Sequence, residues 1–148
     1  MKAVCLLSGG LDSATALALA LQENQKVIAI NVNYGQKHLK ERIAAKQLVD
    51  YYARRNLHKS VTLQEYNLPE ELFIGAQSTL VGEKNPQPHL TYQELAKQEG
   101  PSPTVVPFRN ALLLSIATIR AAIEGASLIY AVMHGEDAKN FAYPDCTP

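Results

Sequence analysis

The chain is poor in cysteine, balanced in charge and without a long apolar run, and each shortage removes a class of protein. Its two cysteines, Cys5 and Cys146, make neither a disulfide framework nor a zinc site on their own, so no metal ligand is assigned within this sequence. Cys5 lies inside the apolar run Ala3-Val4-Cys5-Leu6-Leu7, where a buried and inert thiol is expected. Fourteen Lys and Arg offset fourteen Asp and Glu, so no global pull toward nucleic acid or a membrane surface is built in. No apolar stretch approaches the roughly 18 residues that cross a bilayer. Met1-Lys2-Ala3 leads straight into a strand-like segment and a glycine turn, without the apolar stretch and cleavage site of a signal peptide. The expectation is a cytoplasmic protein with no membrane contact and no direct nucleic-acid partner.

What is present is an ordinary globular composition, 47% apolar and 19% charged over 148 residues, which suits one compact domain. The apolar run ending at Leu7 is bounded by two glycines and reads as a buried strand. Asp12 to Gln22 has no helix breaker and reads as a helix. Val27 to Val32 is dense in β-branched residues and reads as a second strand. Leu39 to Arg55 reads as a long helix with apolar positions at Leu39, Ile43, Leu48 and Tyr52. Ser60 to Leu63 is a weaker third strand. Asn110 to Glu124 is another helix, stopped by Gly125, and Leu128 to Val132 is a last strand. Strand and helix alternate, which predicts an α/β fold, a parallel sheet flanked by helices.

Residues 67–106 break that rhythm with Pro69, Pro86, Pro88, Pro101 and Pro103. A stretch this long without periodicity is expected to be a functional loop or lid, mobile without substrate, or else disordered.

The strongest chemical signal is Ser8-Gly9-Gly10-Leu11-Asp12-Ser13, between the first strand and the first helix. Glycines there let main-chain N–H groups approach an anion closely. The helix that follows adds its unpaired N–H groups and its positive dipole end, and Ser8 and Ser13 add hydroxyl donors. Asp12 repels a phosphate unless Mg²⁺ stands between them. The plainer alternative is a tight turn in which Asp12 caps the helix. The spacing is that of neither the Walker loop nor the G-x-G-x-x-G dinucleotide loop. Further along, Arg109 stands at a helix start, where a cation is disfavoured unless an anion compensates it; a phosphate ligand is the reading preferred over a solvated cation. His134 is left unassigned.

The Ser8–Ser13 loop resembles that of the PP-loop ATP pyrophosphatases, which cleave ATP to AMP and pyrophosphate; the resemblance implies an adenine nucleotide alpha hydrolase-like, Rossmann-like domain. Three further stretches are similar to the 7-cyano-7-deazaguanine synthases within that group. Tyr34-Gly35-Gln36-Lys37-His38 resembles their Tyr-Gly-Gln-Arg-His, with Lys37 standing for Arg, which keeps the charge but loses the planar fork. Val106-Pro107-Phe108-Arg109-Asn110 is similar to their Val-Pro-Gly-Arg-Asn, with Phe108 replacing Gly. Tyr143-Pro144-Asp145-Cys146 matches their Tyr-Pro-Asp-Cys. These motifs cover almost the whole chain in the right order.

The resemblance implies conversion of 7-carboxy-7-deazaguanine and ammonia to the 7-nitrile through an adenylated intermediate, on the route to queuosine. ATP would be held by Leu7, Ser8, Gly9, Gly10, Leu11, Asp12, Ser13, Tyr34, Arg109 and Asn110. Asp12, Lys37 and Arg109 would act in catalysis, and Gln36, His38, Tyr143 and Asp145 would hold the substrate. ATP and Mg²⁺ are the expected cofactors. The family continues into a segment whose cysteines hold a structural zinc, so Zn²⁺ is expected only in a full-length form. The resemblance also suggests pairing of subunits as a homodimer. Two alternatives stay open: another PP-loop ligase or tRNA-modifying enzyme, and a truncated, non-catalytic nucleotide-binding module.

Overall fold

The computed structural model of the chain describes residues 1–35, 39–55, 58–73, 76, 78 and 105–133. Strand β1 (Lys2–Leu6) is followed by helix α1 (Leu11–Glu23), β2 (Lys26–Asn33), α2 (Leu39–Arg55) and β3 (Ser60–Asn67). A short 3-10 turn (Glu70–Phe73), helix α3 (Arg109–Glu124) and β4 (Leu128–Tyr130) complete the described elements. The strands form one sheet in the order β3-β2-β1-β4, every pairing parallel. That is the α/β architecture the alternation predicts.

The chain divides into two compact units. The first contains Met1–Asn33, His38–Asn67 and Leu112–Val132; the second contains Tyr34–Lys37, Leu68–Ala111 and Met133–Pro148. The sheet and its core belong to the first. A parallel sheet covered on both faces demands continuous apolar runs rather than alternation, and β2 is buried without a break from Val27 to Val32. Cys5, Leu7, Ala16, Leu17, Ala20, Leu21, Val27, Ala29, Ala45, Val49 and Val61 form the core cluster. Helix α1 contributes Ala16, Leu17, Ala20 and Leu21 to it, one turn apart on one face. Lys59 closes the far end of α1, its ammonium donating to the carbonyls of Leu21 at 2.6 Å and Gln22 at 2.7 Å, where a cation meets the negative helix end.

Several local expectations shift. Helix α1 begins at Leu11 and α3 at Arg109, one residue earlier in each case, while β4 ends at Tyr130 rather than Val132. Strand β3 continues to Asn67, because Gln64, Glu65 and Tyr66 pair in register with Ile30, Asn31 and Val32 of β2; polar residues suit an edge strand. The buried stripe of α2 includes Leu48 and Tyr52 as expected, but not Ile43. Ala45 and Val49 are buried, Leu48 and Tyr52 pack beside them, and Ile43 is 55% exposed. Positions 45, 48, 49 and 52 follow the three-and-four spacing of one helix face, with Ile43 on the opposite side. Gly125 ends α3 with φ +63°, the left-handed stop expected of a C-terminal glycine. Most of residues 67–106 lies outside the described residues, and the expected mobility with it.

The chain runs from β1 outward through β2 to β3, then returns to place β4 on the other side of β1. The strand order therefore reverses between β1 and β4. Open parallel sheets bind ligands beyond the carboxyl ends of their strands at such a reversal. The segment leaving the carboxyl end of β1 is Leu7 to Ser13.

Candidate phosphate-binding site

The loop after β1 is organised by two hydroxyls. The Ser8 and Ser13 oxygens lie 3.0 Å apart. The backbone N–H of Gly9 donates to Ser13 Oγ at 3.2 Å, and that of Gly10 donates to Ser8 Oγ at 3.3 Å. Ser13 Oγ in turn donates to the Gly10 carbonyl at 3.0 Å, which also accepts the first helical bond from Ala14 N. Gly10 is the N-cap of α1, and no side chain caps it. Asp12 is therefore not the cap; it sits exposed in the first helical turn, where a carboxylate is favoured by the dipole. Leu11 is 82% exposed, and Leu7 is buried in the core. Two glycine N–H groups thus rest on serine oxygens at the open start of a helix. A phosphate oxygen can take the place of each hydroxyl as acceptor, and the hydroxyls can turn to donate to it.

The loop is fixed from outside by two contacts that lie far away in the sequence. Gly9 has φ +99°, and a Cβ there would meet the Glu41 carbonyl oxygen at 2.1 Å and Ala45 N at 2.9 Å. The loop therefore lies directly on the backbone of α2. This explains why α2 presents Ala45 there, 0% exposed. From β2, Asn31 Nδ2 donates to the Leu7 carbonyl at 2.7 Å. Neither contact was visible in the local motif.

In the second unit, the Arg109 N–H donates to the Val106 carbonyl at 3.2 Å. That bond closes a four-residue turn with Pro107 second and Phe108 third. Phe108 has φ +52° and is 80% exposed. Proline followed by a positive φ is the pattern of a type II turn, whose third position favours glycine. Phe108 therefore occupies a left-handed position without glycine's freedom. Arg109 is half-buried and opens α3, with its Nε 3.4 Å from Asn110 Oδ1. Asn110 is 9% exposed. Tyr34 is half-buried and meets Phe73 edge to face, with ring centroids 6.0 Å apart. Gln36, Lys37, His38, His134, Tyr143, Asp145 and Cys146 lie outside the described residues.

Cys5 behaves as a core residue. It is fully buried, and that burial pushes its thiol up to about 12. Among the described residues no group of three or more His, Cys, Asp or Glu could hold a metal ion, so they offer no zinc site. No described helix is long and apolar enough to cross a membrane.

A four-stranded parallel sheet with flanking helices, whose first strand runs through a serine- and glycine-lined loop into a helix at the reversal of strand order, is an α/β domain of the PP-loop, Rossmann-like class. The family described as "Queuosine biosynthesis protein QueC" matches residues 2–148, and the chain belongs to that family. It is similar to the 7-cyano-7-deazaguanine synthase of Methanospirillum hungatei, with 38% identity over all of this chain and 62% of that protein. It also resembles the proteins of that name from Microcystis aeruginosa, at 37% identity over 99% of this chain and 58% of the relative, and from Rickettsia bellii, at 40% over 99% and 60%. The chain spans about three fifths of the length of these relatives.

Proposed function

We propose that the chain carries the ATP-activating part of a 7-cyano-7-deazaguanine synthase, and that the Ser8–Ser13 loop holds the phosphates of ATP. The observation that carries this reading is the loop itself: Gly9 and Gly10 N–H groups resting on Ser8 and Ser13 hydroxyls at an uncapped helix start. The names of the relatives support the choice of acceptor substrate.

The chemistry suits such a site. A carboxylate resists attack by ammonia because it has no good leaving group. Transfer of AMP from ATP to the carboxylate of 7-carboxy-7-deazaguanine releases pyrophosphate and makes an acyl-adenylate. Ammonia displaces AMP to give the amide. A second adenylation, on the amide oxygen, lets AMP leave with loss of two amide protons as the nitrile forms. The chain's part is to hold reactants and to stabilise developing charge. Ser8, Gly9, Gly10 and Ser13 would hold the departing pyrophosphate, and Lys37 and Arg109 would balance its charge. Asp12, exposed in the first turn of α1, fits a role facing Mg²⁺ that accompanies ATP, which would screen the carboxylate from the phosphates. Tyr34 and Asn110 would complete the nucleotide side. Gln36 and His38 would contact the substrate, Tyr143 would stack on the base, and Asp145 would accept from its ring N–H and exocyclic amine. We assign the reaction to the cytoplasm.

Incubating the chain with ATP, Mg²⁺, ammonia and 7-carboxy-7-deazaguanine tests the reading. AMP and pyrophosphate should accumulate only with the deazaguanine acid present. ADP as the sole nucleotide product would overturn the proposed cleavage. ATP binding without turnover would reduce the chain to a nucleotide-binding module.

A further inference from the structure

We infer that Asn31 is a positioning residue for the phosphate loop, acting through the Leu7 carbonyl; this rests on the reading of Ser8–Ser13 as an ATP-phosphate loop. Asn31 interrupts an otherwise apolar buried stretch of β2 and is itself only 5% exposed. A buried amide in a parallel strand needs partners, and its Nδ2 finds one in Leu7 O at 2.7 Å. The residue lies one step past the last paired couple of β1 and β2, Leu6 and Ile30. At that step the ladder's own contribution is the Leu7 N–H donating to Ile30 O at 2.8 Å.

The two bonds together hold both peptide planes that flank Leu7. The backbone bond fixes the plane between Leu6 and Leu7, and the Asn31 bond fixes the plane between Leu7 and Ser8. With two planar units fixed, the two soft dihedrals of Leu7 are fixed as well. The direction in which the chain enters Ser8 follows from them. Ser8 Oγ must meet Gly10 N at 3.3 Å and Ser13 Oγ at 3.0 Å, so an error at Leu7 moves the hydroxyl that organises half of the loop. Asn31 touches no phosphate in this account. It holds the base from which the loop starts, as the α2 backbone under Gly9 holds its middle.

The test is an isosteric pair at position 31. Asn31→Thr keeps a donor and Asn31→Val lacks one, while both are β-branched and suit a strand. Folding of each is checked by cooperative thermal unfolding, and MgATP affinity is measured by calorimetric titration of the 148-residue chain. The Thr variant should bind MgATP within about threefold of wild type and the Val variant about tenfold more weakly than the Thr variant. Equal MgATP affinity in the two folded variants, whatever their melting temperatures, overturns the inference and leaves the nucleotide reading standing. Absence of MgATP binding by the wild-type chain overturns that reading, and the inference falls with it. Should Asn31→Val fail to fold, Asn31→Ser against Asn31→Ala gives the same donor contrast with less bulk.

Discussion

Two helices in this chain follow a residue with left-handed backbone, and the two starts handle it in opposite ways. Before α1 the residue is Gly9, φ +99°, pressed so closely on α2 that a single methyl group would strike main-chain atoms. Before α3 it is Phe108, φ +52°, with its ring turned to solvent at 80% exposure. At the first start both the torsion and the space forbid a side chain. At the second only the torsion objects, and it objects mildly, since the left-handed region admits ordinary residues at a cost of about 1–2 kcal/mol. Close packing against fixed backbone therefore makes a glycine irreplaceable, whereas a positive φ alone makes it merely preferable.

Gly9→Ala is the severest trial of that contrast. The obstructing atoms are the Glu41 carbonyl and Ala45 N, which belong to a hydrogen-bonded helix and cannot swing aside as a flexible side chain would. Either α2 shifts from the core or the loop leaves its seat. Strain and clash together should cost about 3–5 kcal/mol in urea unfolding, and MgATP binding should be lost. A destabilisation below about 1 kcal/mol would mean that the loop is not wedged on α2, and the two helix starts would be equivalent.

The strand feeding the first loop can be probed by pH. Cys5 is fully buried in β1, and its thiol is pushed from 9.0 to about 12 by desolvation. The folded chain therefore holds this proton while the unfolded chain releases it. Stability is intact below pH 9.0 and falls as pH rises toward 12, by on the order of 3–4 kcal/mol if the fold persists. Tyr130 adds to the decline, because its hydrogen bond with Glu23, together with burial, raises its phenol above 10.0. Cys5→Ala should remove most of the slope between pH 9.0 and 10.0. An unchanged slope, or rapid labelling of native Cys5 by a thiol reagent at neutral pH, would mean that the base of the loop is open to water.

The same contrast explains what could be read in advance. The strand, glycine turn and helix around Ser8–Ser13 were legible because they are contiguous in sequence, whereas the seating of the glycine N–H groups on the serine hydroxyls was not. The limits of α2 at Leu39 and Arg55 were legible too. Its buried face was legible only in part: Leu48 and Tyr52 pack on the core as expected, but Ala45 was missed because it gains its importance from Gly9, distant in sequence, and small residues carry little hydrophobic signal. Asn31 was missed for the same reason; its partner Leu7 is 24 residues away. The end of β3 at Asn67 was hidden because pairing with β2, not side-chain pattern, keeps Gln64 and Glu65 extended. At the second helix start, phenylalanine masks a turn that a Pro-Gly pair would have announced.

That masked turn yields the smallest and most discriminating effect. The bond from Arg109 N to Val106 O at 3.2 Å closes the turn, and Pro107 occupies the position where its fixed φ is useful. Phe108 then holds φ +52° with no burial of its ring in return, being 80% exposed. Phe108→Gly removes the Cβ that makes this torsion costly, but it also frees the unfolded chain, which offsets part of the gain. The net should be a stabilisation of about 0.5–1 kcal/mol, a rise in melting temperature of about 2–4 °C. Phe108→Ala separates torsion from side chain, because alanine keeps the Cβ and loses only the exposed ring. It should leave the melting temperature within about 1 °C of wild type. If alanine stabilised the chain as much as glycine, the exposed ring rather than the backbone would be the liability. The left-handed torsion at the start of α3 would then be free, and the contrast with Gly9 would rest on packing alone.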